Sequence, residues 1–392
     1  MKYAVASDEL RVAFAGGGTG GHLMPAVATA AELQRMLPGT RAVFMTTRRD
    51  AEVRCAHALA GFESVRIPAT PWAAMRDKVR FPLKSIQAAE RVLSALKLLR
   101  PHVVVGLGAA DCVVPVLTAR ALGIRTVVLE ANAVPGLAVK VLAPIADCVV
   151  LQYECAGRGL RARRIMELGN PVRAHLFGVD RRAARRRLGL DPDKTTALVT
   201  GGSQGALRLN GTLFGALRRL ADAGVRLQVL HLTGVDHLPA ALTRAQEDQL
   251  TGYRPVGFME RMEDAYAAAD FVVSRSGAST LAELTALGLP SILVPYPYSA
   301  GDHQEVNANV LAAAGAAIKI SQRDLTDGTL AEAIARLAGS RTFRGRAAFN
   351  ARRLGKPQSA EKVAGLLATV AGFAERLSAN ARTELDLPSR AA

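Results

Sequence analysis

Short runs of consecutive Val, Ile, Leu and Phe recur along the chain, each followed by a stretch in which apolar residues return every three or four positions. A run with no polar alternation reads as a strand buried on both faces, and the amphipathic stretch after it as a covering helix. In the first half, strands are expected at Arg11–Ala15, Arg41–Thr46, 63–67, 102–105, Arg125–Glu130 and 146–151. Helices are expected over 25–37, 51–61, 85–99 and 113–122. The alternation restarts with strands at 195–200, 226–233, Phe271–Ser274, 291–295 and 317–320. Its helices end near Ala223 and Leu287 or cover 240–252, 263–269 and 306–314, and the remainder is helical. Between the two series lies the polar, proline-containing connection Gly169-Asn170-Pro171-Val172-Arg173. The pattern predicts an α/β protein of two similar-sized parallel-sheet domains, 1–170 and 171–358, facing across a cleft. Residues 359–392 are expected to form a last helix packing back on the first domain and a frayed tail.

Composition narrows the class. The 392 residues are 49% apolar with interspersed charge, which excludes a disordered chain. Cys55, Cys112, Cys148 and Cys155 are widely spaced, with no C-x-x-C pair, and read as buried thiols in a reducing compartment. Two uncharged stretches, 12–31 and 284–301, are interrupted by five glycines and by three prolines respectively, so neither is expected to span a membrane. The start of the chain lacks the pattern of a secretory signal, and a cytoplasmic protein is expected. Lys and Arg number 50 against 34 Asp and Glu, a net charge of +16. Such a field attracts nucleic acid, acidic membrane or phosphorylated metabolites. The cluster Arg181, Arg182, Arg185, Arg186 and Arg187 reads as a solvated helix face. With no helix-turn-helix or RNA-binding motif, nucleic acid is not the expected partner.

The sharpest local feature is Gly16-Gly17-Gly18-Thr19-Gly20-Gly21-His22, between a strand and a helix. Glycines permit a tight turn and close approach of a bulky ligand, and the free N–H groups of a helix start attract anionic oxygens. A dinucleotide-binding fold would place a carboxylate at the tip of the next strand. Here that tip reads Thr46-Thr47-Arg48-Arg49, which disfavours NAD chemistry. His22, where the loop enters the helix, is a candidate functional imidazole. The second half repeats the device in Gly201-Gly202-Ser203-Gln204-Gly205 and in Arg275-Ser276-Gly277-Ala278-Ser279. The helix after the latter carries Glu283, placed either to bind a ribose diol or to complement the helix dipole. Asp302-His303-Gln304 with Asn307 follows a later strand. Three polar strand-end loops in one domain point to a nucleotide-diphosphate site.

In order along the chain stand Gly-Gly-Thr-Gly-Gly-His, Gly-Asn-Pro-Val-Arg, Gly-Gly-Ser-Gln-Gly-Ala, Arg-Ser-Gly-Ala-x-Thr-x-x-Glu and Asp-His-Gln-x-x-Asn-Ala. Over residues 11–340 this series resembles the MurG family, N-acetylglucosaminyltransferases that convert lipid I to lipid II in peptidoglycan synthesis. The resemblance implies a GT-B fold of two Rossmann-like domains, the first on the acceptor and membrane side, the second binding the UDP-sugar. It implies UDP-N-acetylglucosamine as donor and lipid I as acceptor, with inverting transfer to the muramoyl C4 hydroxyl. Ser203 would meet the diphosphate, the Met259 backbone uracil, and Glu283 the ribose. Ala278, Ser279, Thr280, Leu281, Ala282 and Gln304 would line the same site, and Thr19, Gly20, Gly21, Asn132 and Arg173 would complete it. It further implies a role in cell-wall growth, cell shape and division, at the cytoplasmic face of the inner membrane, alongside the cell-wall synthesis machinery.

Two loops depart from the family. Leu129-Glu130-Ala131-Asn132 stands where His-Glu-Gln-Asn is usual, and Gly108-Ala109-Ala110-Asp111-Cys112-Val113-Val114-Pro115 where Gly-Gly-Tyr-x-Ser-x-Pro is usual. Both belong to the acceptor half, so the alternative is a related GT-B enzyme with another lipid or natural-product acceptor; a nucleotide-binding module without transfer is a further one. Transfer needs a base and stabilisation of the departing diphosphate. His22 is the first candidate, as base or as orienting group, and Glu130 the second. No D-x-D-like metal motif occurs in the strand-end loops expected to face the cleft, so helix N-termini and Arg173 are expected to neutralise UDP with no required cofactor, a divalent cation being at most a non-essential addition. A lipid-linked acceptor needs a membrane face. In 71–86, Trp72, Met75, Val79 and Phe81 alternate with Arg76, Lys78, Arg80 and Lys84, a composition suited to an anionic bilayer surface.

Overall fold

The computed structural model describes residues 9–16, 20–47, 59–68, 80–202 and 205–377, with the backbone alone for Gly20 and for 80–87. The chain divides into two compact units, Met1–Arg173 with Gln358–Ala392, and Ala174–Pro357.

In the first unit the described elements are β1 (Arg11–Ala15), α1 (Gly20–Met36), β2 (Arg41–Thr46), β3 (Glu63–Arg66), α2 (Arg80–Leu99), β4 (Val103–Gly106), α3 (Val113–Ala121), β5 (Arg125–Glu130), α4 (Leu137–Leu142), β6 (Cys148–Leu151) and β7 (Ile165–Met166). The strands are all parallel, in the order β3-β2-β1-β4-β5-β6-β7. The central strands are apolar throughout because both faces are covered: Val12 and Phe14 of β1 face one core and Ala13 and Ala15 the other. The helix expected over 51–61 lies, except for its last three residues, outside the described residues.

The second unit holds α5 (Arg181–Arg187), β8 (Thr196–Thr200), α6 (Leu207–Asp222), β9 (Gln228–Leu232), α7 (Leu238–Glu247), β10 (Tyr253–Val256), α8 (Met262–Ala268), β11 (Phe271–Ser274), α9 (Ala278–Leu287), β12 (Ser291–Leu293), α10 (His303–Ala313), β13 (Ala317–Lys319), α11 (Asp327–Gly339) and α12 (Arg341–Leu354). Its sheet is again parallel, ordered β10-β9-β8-β11-β12-β13. In each sheet the strand order reverses beside the first strand, at β1/β4 and at β8/β11. In open α/β sheets, ligands bind beyond the carboxyl ends of the strands at that reversal. The loops singled out in the sequence, 16–21, 201–205 and 275–279, all leave those strands.

Two edge strands escape the sequence pattern. β7 has two residues, and β10 contains Pro255. Proline removes a ladder donor, which an edge strand tolerates where a central one would not.

The last helix, α13 (Ser359–Val370), packs on α1. Val363, Ala364, Leu366 and Leu367 are buried in the core against Leu23, Ala26 and Leu33. Its first residue ties down the connection out of the unit: Ser359 Oγ donates to Asn170 O (3.0 Å) and accepts from Val172 N (3.2 Å). The peptide N–H of Asn170 is in turn bound by the Gln152 side chain.

The reading of the arginine cluster in α5 as a solvated face fits Arg181, Arg182, Arg186 and Arg187, which are exposed, and needs correction for Arg185. Arg185 is 4% exposed. Its Nη2 lies 2.7 Å from Asp270 Oδ2, while Nε donates to Ala268 O (2.9 Å) and Nη1 to Pro192 O (2.8 Å). Asp270 also accepts from Thr196 N at 2.8 Å and pairs with Arg181 at 3.0 Å. Arg187 pairs with Asp264, and Arg182 with Asp193. The carboxylate at Asp270, one residue before β11, thus joins the amino ends of β8 and β11, the strands whose far ends carry the glycine loops.

Candidate active site

In the first unit the site is built around the turn after β1. Gly16 has φ +93°, and a Cβ there would sit 2.8 Å from the backbone N and the Cβ of Cys112, so only glycine allows this turn to lie against the loop that follows β4. The Cys112 thiol is fully buried, its pKa pushed up to about 12 by desolvation, which leaves it protonated and inert beneath the loop. Cys148 is buried as well, raised to about 11 for the same reason, and Cys155 is half-buried. His22 is the third residue of α1 and is half-buried, with Gly21 exposed ahead of it. Thr19 lies outside the described residues.

Glu130 and Asn132 come together at the tip of β5. Glu130 is 3% exposed. Its Oε1 accepts from Asn132 N (2.9 Å) and Asn132 Nδ2 (3.0 Å), and its Oε2 accepts from Gly136 N (2.7 Å), the residue capping α4. Hydrogen bonds to an ionised carboxylate are among the stronger ones. As placed, Glu130 shapes the 130–136 turn and sets the orientation of the Asn132 amide. Arg173, half-buried, closes the unit.

The second unit gathers its polar groups at the tips of β8, β9, β10, β11 and β12. Gly205 (φ +74°) packs on the carbonyl of Thr233, where any Cβ would overlap the oxygen, so the loop after β8 abuts the tip of β9. Ser203 lies outside the described residues. After β11, the chain enters α9 at Gly277, presenting N–H groups at the helix start. Leu281 and Ala282 are buried, so their side chains serve the core, and the half-buried positions of the first turns are Ala278, Ser279, Thr280 and Glu283. The Glu283 carboxylate accepts from Tyr266 Oη at 2.8 Å, which fixes its rotamer. Ser276 Oγ donates to Gln304 O (2.7 Å), and the Gln304 side chain accepts from Tyr296 N (3.0 Å). Asn307 is buried and donates to Ser276 O (3.3 Å), so the loops after β11 and β12 are held as one piece. Met259 is half-buried in the loop after β10, next to Phe258, which is 45% exposed.

Two side chains of this edge were given no role of their own from the sequence. Arg275 donates from Nη1 to Val294 O and Pro295 O, both at 3.1 Å, and lies 5.7 Å from the Tyr296 ring centroid. Burial depresses its pKa, and Arg208 at the start of α6 depresses it further, so two cations share the switch point. Beneath them, buried His231 of β9 binds Tyr253 Oη through Nδ1 (2.7 Å) and Asn210 Oδ1 through Nε2 (3.1 Å), and Asn210 Nδ2 donates to Thr233 O (2.8 Å). Since Asn210 Oδ1 can only accept, the imidazole carries its proton on Nε2 and accepts from the tyrosine. Desolvation lowers the His231 pKa to about 3, so this brace stays neutral while it ties β9, β10 and α6 together. A histidine in the middle of an apolar strand was the available sequence signal.

The segment proposed as a membrane face falls largely elsewhere. Trp72, Met75, Arg76, Lys78 and Val79 lie outside the described residues, and Arg80, Phe81 and Lys84 belong to the stretch of α2 described by its backbone alone. Among the described residues no helix is long and apolar enough to cross a membrane.

The sequence and fold match known proteins over nearly the whole chain. Residues 12–151 match the glycosyltransferase family 28 N-terminal domain and 196–363 the family 28 C-terminal domain. The chain is 38% identical over 364 residues to a UDP-N-acetylglucosamine--N-acetylmuramyl-(pentapeptide) pyrophosphoryl-undecaprenol N-acetylglucosamine transferase of Anaeromyxobacter sp. (strain K), covering 91% of each. It is 35% identical to the enzyme of the same description from Halothermothrix orenii, covering 91% of this chain and 98% of that one. The crystal structure of Acinetobacter baumannii MurG superposes with a TM-score of 0.73 at 27% identity, over 92% of this chain and 99% of that one. The chain therefore belongs to glycosyltransferase family 28 and, within it, to the MurG family of N-acetylglucosaminyltransferases.

Proposed function

We propose that the protein transfers N-acetylglucosamine from UDP-N-acetylglucosamine to the muramoyl C4 hydroxyl of lipid I, giving lipid II and UDP with inversion at the anomeric carbon. The observation that carries this reading is the set of second-unit strand tips, where the start of α9, Glu283 and the Gln304 loop are fixed by internal hydrogen bonds around one sheet edge. In the reaction the acceptor oxygen attacks C1, the bond from C1 to the β-phosphate oxygen breaks, and the hydroxyl proton passes to a base. Ser203 and the helix starts after β8 and β11 receive the diphosphate, Met259 meets uracil through its backbone, and Glu283 accepts from the ribose hydroxyls. Ala278 to Ala282 and Gln304 complete the pocket in this unit. Thr19, Gly20, Gly21, Asn132 and Arg173 act from the first unit, where His22 takes the proton or orients the hydroxyl. Arg173, with Arg275 and Arg208, offsets charge developing on the leaving group. No divalent cation is required by this scheme.

Residues 1–170, 171–358 and 359–392 serve in this reading as acceptor unit, donor unit and returning helix. The acceptor's polyprenyl chain places the enzyme peripherally on the cytoplasmic face of the inner membrane, in reach of the cell-wall synthesis machinery, with 72–84 as the contact with anionic lipid.

The donor half of the proposal is tested by Glu283→Ala. A hydrogen-bonded carboxylate contributes about 1.5–3 kcal/mol, so UDP affinity by calorimetry is expected to fall roughly 10–100-fold, with the unfolding midpoint little changed. An unaltered dissociation constant would remove Glu283 from the site. The whole reaction is read by UDP release, which should require both the donor and a lipid I analogue. The departures at 108–115 and 129–132 favour one competing reading, a different acceptor. Donor binding without UDP release on lipid I, restored by another polyprenyl- or natural-product hydroxyl, would establish it.

A further inference from the structure

The second unit presents a surface that the transfer reaction leaves unused. From Ala333 to Ala360 the sequence holds seven Lys and Arg and no Asp or Glu, and most of these cations fall on α12. Helical periodicity sorts them into two faces. Ala347 and Ala351 are buried where α12 packs on α9 and α11. On the same side Arg344 turns back to the end of α11, donating to Leu337 O (2.5 Å) and Ala338 O (3.2 Å). The opposite face centres on Phe349, 60% exposed. Arg346 stands three residues before it, Arg352 and Arg353 three and four residues after it, and all three are exposed.

This helix contrasts with α5, where Arg181, Arg182, Arg185 and Arg187 each meet an Asp. Among the described residues, Arg346 and Arg353 form no ion pair, so their charge is not consumed by the fold. The stem of Arg352 lies across Gly288, where a Cβ would overlap its Cγ, which holds that cation at the rim of the face. A phenyl ring kept in water with guanidinium groups on both flanks has two complementary needs, an apolar layer and anions just above it. The boundary of an anionic bilayer supplies both at the required depth, because long basic side chains reach phosphates while the ring enters the acyl region. The phosphate backbone of a nucleic-acid duplex would satisfy the cations and leave the ring exposed.

We propose that the outward face of α12, Arg346, Phe349, Arg352 and Arg353, is a contact site for anionic phospholipid. It lies on the donor unit and is separate from the 72–84 segment. It does not depend on the transferase reading, since vesicle binding is measured without substrate.

The test uses the full chain floated with phosphatidylcholine vesicles, with and without phosphatidylglycerol. Each basic residue at an anionic surface changes partitioning several-fold, so the double variant Arg346→Glu/Arg353→Glu is expected to bind phosphatidylglycerol vesicles about 30-fold or more weakly. Phe349→Ser is expected to lose the part of binding that survives high salt, where the charge contribution is screened. Both variants should keep the wild-type melting temperature and UDP affinity. Wild-type flotation by both variants overturns the proposal, and so does a loss confined to capture of an acidic protein with vesicle binding intact.

Discussion

His22→Ala is expected to lower turnover with a lipid I analogue by about 10²-fold or more, the usual contribution of a positioned acid-base group. Dissociation of UDP, measured by calorimetry, should change little. The expectation follows from where the imidazole sits. The turn at Gly16 is locked against Cys112 by a contact that admits no side chain, and α1 carries His22 three residues into the helix, half-buried. An imidazole held on the first turn of a helix loses little order on reaction, which is what a general base needs. Near-normal turnover of the variant would refute the role. Glu130 provides the comparison. Its carboxylate already accepts three hydrogen bonds within the 130–136 turn, so Glu130→Gln, which exchanges one acceptor oxygen for a donor, should disturb Asn132 and Gly136. A raised KM for the acceptor, with the pH profile unmoved, marks positioning; loss of the acidic limb of that profile, where a base becomes protonated, marks proton transfer.

Arg185→Ala is expected to destabilise the second unit by about 3 kcal/mol, at the lower end of the cost of breaking a buried ion pair. The Asp270 carboxylate retains Arg181 and the Thr196 N–H, while Ala268 O and Pro192 O each lose a donor. The neighbouring Arg182→Ala removes a pair whose side chains are 64% and 73% exposed, and should stay within about 0.5 kcal/mol of the wild type. Urea midpoints with unchanged slopes give both numbers. A loss below about 1 kcal/mol for Arg185→Ala would mean that water or Arg181 replaces the buried guanidinium. Because Asp270 joins the amino ends of β8 and β11, donor affinity should fall along with stability in this variant.

Legibility in the sequence follows burial. Central strands such as Val103–Gly106 and Phe271–Ser274 are apolar because both faces are covered, so a run of Val and Phe suffices to find them. The edge strand β10 is half wet and holds Pro255, and β7 is two residues long, so neither leaves a hydrophobic run to read. The glycine loops were visible because backbone conformation restricts residue type locally, as Gly16 and Gly205 require. Glu283 stood out by its spacing from the loop, but its partner Tyr266 is 17 residues away and no periodicity points to it.

From the amino-acid order alone came the two parallel α/β series, the connection between them and the glycine-rich loops at the strand ends. These are consequences of local preference and of hydrophobic periodicity, which act over a few residues. Only the tertiary structure decided that Arg185 is buried against Asp270 while Arg346 and Arg353 stay in water, that His231 is a neutral brace, and that Ser359 holds Asn170 and Val172. Each of these joins residues distant along the chain, and the free energy of a charge or polar group depends on the partner and the solvent that the fold brings to it.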